Sequence, residues 1–190
     1  MNAEKVYVIV SDIKDQLLYK LPEEVDVIPG LEKLLTLAKA EMYEIELKKN
    51  KELIKYKAMQ RVLSRAASDS RGVLKHSYIH KDGLQYVCDS FVLIGSKKHF
   101  DFSLTEDYFE IDRIKPSCTA GVRELKVPDL FYLKAEIKVA KSKKLKAVYC
   151  FGEGFQMVNA NFLVDVLEGV PNASACTYPD RFGNFSKKFI

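Results

Sequence analysis

Apolar residues recur at two different spacings along the chain, and they separate an N-terminal extension, 1–40, from a main part, 41–190. In the extension, Lys5–Val10 is rich in β-branched residues and predicts a short strand. A group of apolar residues then recurs at helical spacing and predicts a helix that ends near Ala40. That group consists of Leu31, Leu34, Leu35 and Ala38. The extension is therefore predicted to be a strand followed by a helix.

The main part begins with two elements of different periodicity. Tyr43–Leu47 alternates between apolar and charged residues, which predicts a strand. Asn50 is a favourable N-cap, and Lys51–Ala67 has the apolar stripe of an amphipathic helix. The predicted buried face of that helix comprises Ala58, Met59, Val62, Leu63 and Ala66.

Strand and turn signals follow this helix. Val73–His80 and Leu84–Gly95 flank Lys81-Asp82-Gly83, which predicts a hairpin because glycine adopts the positive φ of such turns. His99–Leu104 alternates, with Phe100, Phe102 and Leu104 on one face, and the β pattern continues towards Pro116.

The second half repeats this order of elements. Residues 130–140 fit a helix or a strand, and both remain open. Leu145–Phe151 and Phe155–Val158 predict a hairpin, and a helix starts at Asn159 or Asn161 and closes at Gly169. Two strands are predicted over residues 176–190. A strand, a helix and several strands thus occur twice, which predicts an α+β fold with duplicated halves, 41–115 and 126–190.

Composition places the chain among compact proteins with a real core. It has 190 residues, of which 47% are hydrophobic and 29% charged. No run of apolar residues is long enough to span a bilayer, so no membrane partner is expected. The N-terminus lacks the order of a secretion signal. The four cysteines, at 88, 118, 150 and 176, form no Cys-x-x-Cys and are expected to be reduced thiols of a cytoplasmic protein.

The sequence contains none of the common catalytic motifs. Gly-x-Ser-x-Gly, His-Glu-x-x-His and Gly-Lys-Ser/Thr do not occur. His76 and His80 share a face of a predicted strand, but the close ligand pairs of a metal site are missing. Gly152-x-Gly154 is not followed by a βαβ unit. We therefore expect no catalytic residue, metal or cofactor, and a small enzyme using a histidine or a cysteine such as Cys88 is the least favoured alternative.

The net charge of +4 is unevenly distributed. Residues 123–146 hold eight bases and three acids, an asymmetry compatible with an anionic partner. In the helix Lys51–Ala67, Lys57, Arg61 and Arg65 form a row with one residue per turn, opposite the apolar face. Such a row can neutralise the phosphates of a nucleic acid, although a solvated helix face has the same pattern. No aromatic residue interleaves with the row, which disfavours single-strand stacking there.

Several motifs, in the same order, resemble a domain of the bacterial sliding clamp, the β subunit of the replicative DNA polymerase. Ser70–Leu74 resembles its Arg-Pro-x-Leu strand entry, and Tyr86–Leu93 resembles its Ala-Thr-Asp-Gly strand. Val127–Asp129 is similar to the clamp's Phe-Pro-Asp connection, and Val158–Leu167 to its Asn-Ala-x-Tyr-Leu helix start. The likeness extends over Met42–Ile190.

The resemblance implies the clamp fold, in which two helices on one side of curved antiparallel sheets face DNA. Lys57, Arg61 and Arg65 would then be DNA-binding residues on the inner surface. The chain departs from the family at Cys88, where Thr is usual, and at Ser90, where Gly is usual. The second helix also presents Asn161, Asp165 and Glu168 at positions expected to be exposed, and its two acids would repel phosphate.

Together, the row and the resemblance predict a non-catalytic, clamp-like DNA-binding or replication-accessory protein, of a kind encoded by phages or mobile elements. The expected partners are double-stranded DNA and replication proteins. A clamp ring contains six such domains, so a ring would require oligomers formed through sheet edges. The alternative is a clamp-like protein-interaction module without DNA binding, which docks through residues 1–40 or a sheet edge.

Overall fold

The computed structural model describes residues 3–20, 27–105, 123–152, 157–170, 175–179 and 185–189. It divides the chain into two compact units, Met1–Leu53 and Ile54–Ile190. Within the described ranges it is a mixed α+β protein with five α-helices and small antiparallel sheets, which confirms the predicted class. The clamp fold and the duplication of the halves stay predictions.

The first unit is a pair of long helices, α1 (Ala3–Lys20) and α2 (Val27–Lys49), that pack against each other. Ala3 and Val10 of α1 are buried, as are Ala38 and Leu47 of α2. The strand predicted at Lys5–Val10 is therefore wrong. Its β-branched residues favour a strand locally, but helix pairing buries part of them without any strand partner.

Helix α2 continues well beyond the predicted end at Ala40, so the strand predicted at Tyr43–Leu47 is also wrong. No glycine or proline interrupts residues 40–49, and glutamate, leucine and lysine there are good helix formers. The helix ends in a Schellman motif. Glu52 N donates to Leu47 O at 2.8 Å, and Lys51, with a φ of 60°, occupies the left-handed position. Asn50 belongs to this turn, so its predicted N-cap role is wrong.

Helix α3 (Leu53–Ala66) confirms the amphipathic helix predicted over Lys51–Ala67. Ala58, Met59, Val62 and Ala66 are buried, as expected, and Leu63 is half-buried. The last turn of α3 packs on the following strands through a cluster of Ala66, Leu74 and Cys88.

Three short strands form the first sheet of the second unit. They are β1 (Tyr78–Ile79), β2 (Gln85–Cys88) and β3 (Leu93–Ser96), antiparallel and in the order β1-β2-β3. The hairpin around Lys81-Asp82-Gly83 is confirmed, with a φ of 78° at Gly83. The single strand predicted over Leu84–Gly95 is wrong, because a turn at Asp89 separates β2 from β3.

The predicted strands on either side of this sheet are shorter than expected. Gly72–Lys75 is a 3-10 turn, so the strand predicted from Val73 starts only at Tyr78. Of the strand predicted at His99–Leu104, a single bridge between Leu104 and Ser77 remains. Phe100 is nevertheless anchored, because the Gln85 side chain bonds both its backbone N and its carbonyl oxygen. The prediction from Phe109 to Pro116 lies outside the described residues.

The second half begins with β4 (Arg123–Leu125) and α4 (Leu130–Ser142). Asp129 caps α4 by accepting from the backbone N of Phe131 and Tyr132, which decides the open alternative in favour of a helix. The predicted hairpin forms from β5 (Val148–Cys150) and β6 (Met157–Asn159).

Helix α5 (Ala160–Gly169) then starts at the N-cap Asn159 and ends at Gly169, as predicted. Its core with α4 consists of Leu133, Ile137, Ala160 and Leu163. The chain ends in β7 (Ala175–Pro179) and β8 (Phe185–Phe189), which confirm the predicted strand pair, and β4 pairs with β7.

Helix α5 lies close to β3 at Gly169. A methyl group built on Gly169 would lie 2.9 Å from Cδ1 and 3.0 Å from Cγ2 of Ile94, a residue with no exposed surface. Glycine at this position therefore allows the end of α5 to contact the sheet.

We predict that Gly169→Ala destabilises the fold by about 1–3 kcal/mol, because the new methyl group overpacks a closed core. The midpoint of urea unfolding, followed by circular dichroism, measures this loss. Gly72→Ala is the matched control, since no atom lies within 4 Å of the position that its new methyl group would occupy. Equal midpoints for the two variants would contradict the close approach.

Candidate nucleic-acid interface

The predicted DNA-binding row lies along α3. Its residues are one turn apart, with Lys57 half-buried and the side chains of Arg61 and Arg65 45% and 31% exposed. Both guanidinium groups donate to carboxylates of other elements. Arg61 bonds Asp165, and Arg65 bonds Asp89. Arg61 and Arg65 are therefore part of an ion network within the second unit.

Asp165 of α5 is the centre of this network. Arg61 Nε donates to its Oδ1 at 2.6 Å, and Arg65 Nη1 donates to its Oδ2 at 2.5 Å. The residue is only 2% exposed, so the expectation that Asp165 faces solvent is wrong. The physical reason is that two arginines of α3 supply a charge-assisted bond to each carboxylate oxygen, and this pairing permits burial.

Two further carboxylates complete the network. Arg65 Nε donates to Asp89 Oδ2 at 2.6 Å, and Asp89 Oδ1 accepts from the backbone N of two residues in the β2–β3 turn. Glu168 accepts from Arg61 Nη2 and pairs with Lys134 of α4. Its side chain is 10% exposed, so its predicted exposure is also wrong.

The network leaves Arg61 fully charged. Burial alone would lower the pKa of Arg61, but hydrogen bonds and charges from Asp165 and then Glu168 outweigh it and raise the pKa above its ordinary value. A phosphate that bonded Nε of Arg61 or Nη1 of Arg65 would have to displace Asp165. Such a displacement would leave Asp165, which is buried, without its cations. The charge of the two arginines is thus already compensated inside the protein.

An aromatic stack borders the same network. The Arg65 guanidinium lies 4.8 Å from the ring centroid of Phe162, and Phe162 stacks on Phe91 at 5.3 Å. A cleft of about 230 Å³ opens beside these residues, with Asp69 and Asp89 on its wall. It is smaller than the roughly 300–1,000 Å³ of most small-molecule sites.

The acids on the wall of this cleft have protein partners. Arg71 donates to Asp69 and holds the pKa of that carboxyl well below its usual range. Ser90 also donates to Asp69, from a backbone φ of 79° that glycine adopts more readily. The two acids that line the cleft are therefore already paired with arginines of the protein, Asp69 with Arg71 and Asp89 with Arg65.

A second basic surface lies at the end of α4. We call it the α4 lysine surface, and it consists of Lys138, Lys141, Lys143, Lys144 and Lys146. All five are exposed, and no ion pair joins them to any residue in the described ranges. No acid occurs anywhere from residue 137 to residue 152. The sequence already showed an excess of bases over residues 123–146. Because residues 130–140 fitted a helix or a strand, the sequence did not show which of these bases share a surface.

The histidines and Cys88 have structural surroundings. Nδ1 of His76 lies 3.0 Å from Oγ of Ser103, and buried His80 lies 3.3 Å from Asp82. Across the described ranges, no group of three or more His, Cys, Asp or Glu side chains is arranged to hold a metal. Burial raises the pKa of the Cys88 thiol, whereas a thiolate nucleophile requires a lowered pKa.

None of the described helices is both long enough and apolar enough to cross a membrane. Comparison with protein-family models, curated proteins and solved structures finds no match to this chain. These comparisons neither support nor oppose the clamp resemblance, which depends on the sequence motifs.

We predict that Asp165→Asn destabilises the protein by about 1–3 kcal/mol, because a neutral amide cannot accept charge-assisted bonds from both arginines, although these keep Glu168 and Asp89 as partners. The free energy of unfolding in urea measures the loss. Asp69→Asn is the matched control, since it removes an arginine partner at the surface, and we expect a much smaller shift. Similar losses in both variants would show that Asp165 does not hold α3 and α5 together.

Proposed function

We propose that this chain is a non-catalytic DNA-binding protein that contacts the phosphate backbone through the α4 lysine surface. The supporting observation is a set of five exposed lysines without acidic partners in the described part of the chain. Each lysine that neutralises a phosphate releases counterions, which is the main source of sequence-independent affinity. Lysine suits this task because its ammonium is a flexible, hydrated point charge.

A replication-accessory role is the part of this proposal that comes from the clamp resemblance. In that role the protein would position itself on the DNA backbone rather than recognise a base sequence. DNA contact through Lys57, Arg61 and Arg65 stays a prediction. Arg61 and Arg65 already have Asp165 as a shared partner, so we assign the first contact to the α4 lysine surface, which has no ion pair in the described residues.

We expect Lys138→Gln/Lys141→Gln to weaken DNA binding and its salt dependence. Each phosphate contact contributes about 0.9 to the slope of log K against log salt, so the double variant lowers the slope by about 1.8. Glutamine preserves helix propensity, which leaves α4 intact. Fluorescence anisotropy with a labelled duplex at several salt concentrations gives the slopes.

The charge-matched control for this experiment is Lys75→Gln/Lys97→Gln. Both lysines are exposed, lie in the same unit and are outside the α4 lysine surface. We expect the control to keep the slope of the unaltered protein. An equal change in both double variants would mean that only net charge matters, and it would contradict the proposed surface.

A second candidate function is protein interaction through the α1–α2 pair. Both helices carry exposed apolar side chains, namely Val8, Ile9, Ile13, Leu34, Leu37 and Ile45. Two packed helices resemble half of a four-helix bundle, and a second copy of the pair would complete it and cover these residues. The favoured partner is therefore another copy of this chain.

Leu34→Glu/Leu37→Glu tests self-association, because two charges in an apolar interface oppose its burial. We expect light scattering to show a mass that rises with concentration for the unaltered protein and stays monomeric for this variant. Lys33→Glu/Thr36→Glu, at neighbouring exposed positions, should behave like the unaltered protein. A constant monomer mass in all three proteins would exclude this candidate under the conditions used.

A further inference from the structure

The first turn of α4 presents two aromatic side chains to solvent. Phe131 is 76% and Tyr132 71% exposed, although residues of this size usually bury most of their surface. Their rings are in edge-to-face contact, with centroids 5.9 Å apart and planes at 78°. Asp129 caps the same turn and fixes the backbone from which both rings project.

Helix geometry brings Phe131 into line with the basic residues of α4. At 3.6 residues per turn, Phe131, Lys134, Lys138 and Lys141 fall within an arc of about 80°. The buried residues Leu133 and Ile137 lie on a different side of the helix. Lys134 pairs with Glu168. Lys138 and Lys141 are the next cations along this face, and neither forms an ion pair with a described residue. One aromatic ring and two cations thus follow each other along the helix.

We infer that α4 prefers single-stranded over double-stranded nucleic acid, with a base stacked on Phe131 and the adjoining backbone on Lys138 and Lys141. This inference rests on the proposed DNA-binding function and names the form of the ligand. Stacking on aromatic side chains combined with a basic track is the usual means of binding single strands. In a duplex the base faces are already stacked on one another, so Phe131 has no base to contact.

The charge of this face favours a polyanion over a protein partner. Exposed aromatic residues also occur in protein interfaces, but lysine is depleted there. The α4 lysine surface continues the helix face with Lys143, Lys144 and Lys146, and no acid interrupts it. Tyr132 supports the ring of Phe131 from the side, so part of the orientation needed for stacking exists before binding.

The face also differs from the row predicted on α3. Tyr56, the aromatic residue next to Lys57, stacks on Phe102 at 5.0 Å and lies edge-on to Phe100 at 5.6 Å. Its ring is therefore used in packing within the protein. Of the two basic helices, α4 is the one that combines cations with an exposed aromatic ring in the described residues.

The test compares labelled single-stranded oligothymidine with a duplex of the same length, using fluorescence anisotropy on the full chain. Phe131→Leu keeps an apolar side chain but removes the π face. We expect it to weaken single-strand binding on the order of ten-fold and to leave duplex binding within about two-fold. Phe131→Trp restores a stacking surface and should retain single-strand affinity.

Phe91→Leu is the control, because Phe91 is 78% exposed but belongs to the β2–β3 turn. It should leave binding of both ligands unchanged. Equal effects of Phe131→Leu on both ligands, or no effect on either, would overturn the inference. If Lys138→Gln/Lys141→Gln still weakens both ligands in that case, the proposed function stands without the single-strand preference. Absence of binding by the unaltered protein would overturn both.

Discussion

The ion pairs of Asp165 with Arg61 and Arg65 are the interaction that joins α3 to α5 in the second unit. A buried charge is tolerated only when it is paired and hydrogen-bonded, and here Arg61 and Arg65 each bond one of its oxygens. This fixes two successive turns of α3 on α5. Arg65 also bonds Asp89, so the β2–β3 turn is tied to the same point. Asp165 thus links α3 to α5 directly, and Arg65 extends the network to the turn between β2 and β3.

The choice between arginine and lysine separates the internal charges from the external ones. The planar guanidinium groups of Arg61 and Arg65 can bond several carboxylates at once and stack on an aromatic ring, and both occur in the network. The α4 lysine surface carries ammonium groups, which are strongly hydrated and remain at the surface. In this unit the buried carboxylates Asp89 and Asp165 are thus bonded by arginine, whereas the five lysines of the α4 lysine surface stay exposed.

The position of the lysines depends on how α4 begins and ends. Asp129 starts the helix, and a Schellman motif closes it, with Leu145 N donating to Ala140 O at 2.8 Å. Lys144 occupies the left-handed position of this motif with a φ of 56°. The chain therefore turns sharply after α4 and places Lys143, Lys144 and Lys146 next to the end of the helix.

Local signals in the sequence determined the amphipathic face of α3 and the turn at Gly83, and they narrowed the cap of α5 to Asn159 or Asn161, because each depends on residues close together in the chain. Only tertiary structure decided that Lys5–Val10 is helical, since pairing of two long helices overrides a weak local preference for strand. It also decided that Asp165 is buried, because the arginines that neutralise it are a hundred or more residues away. The sequence shows which charges exist, and the fold determines which of them remain available to a partner.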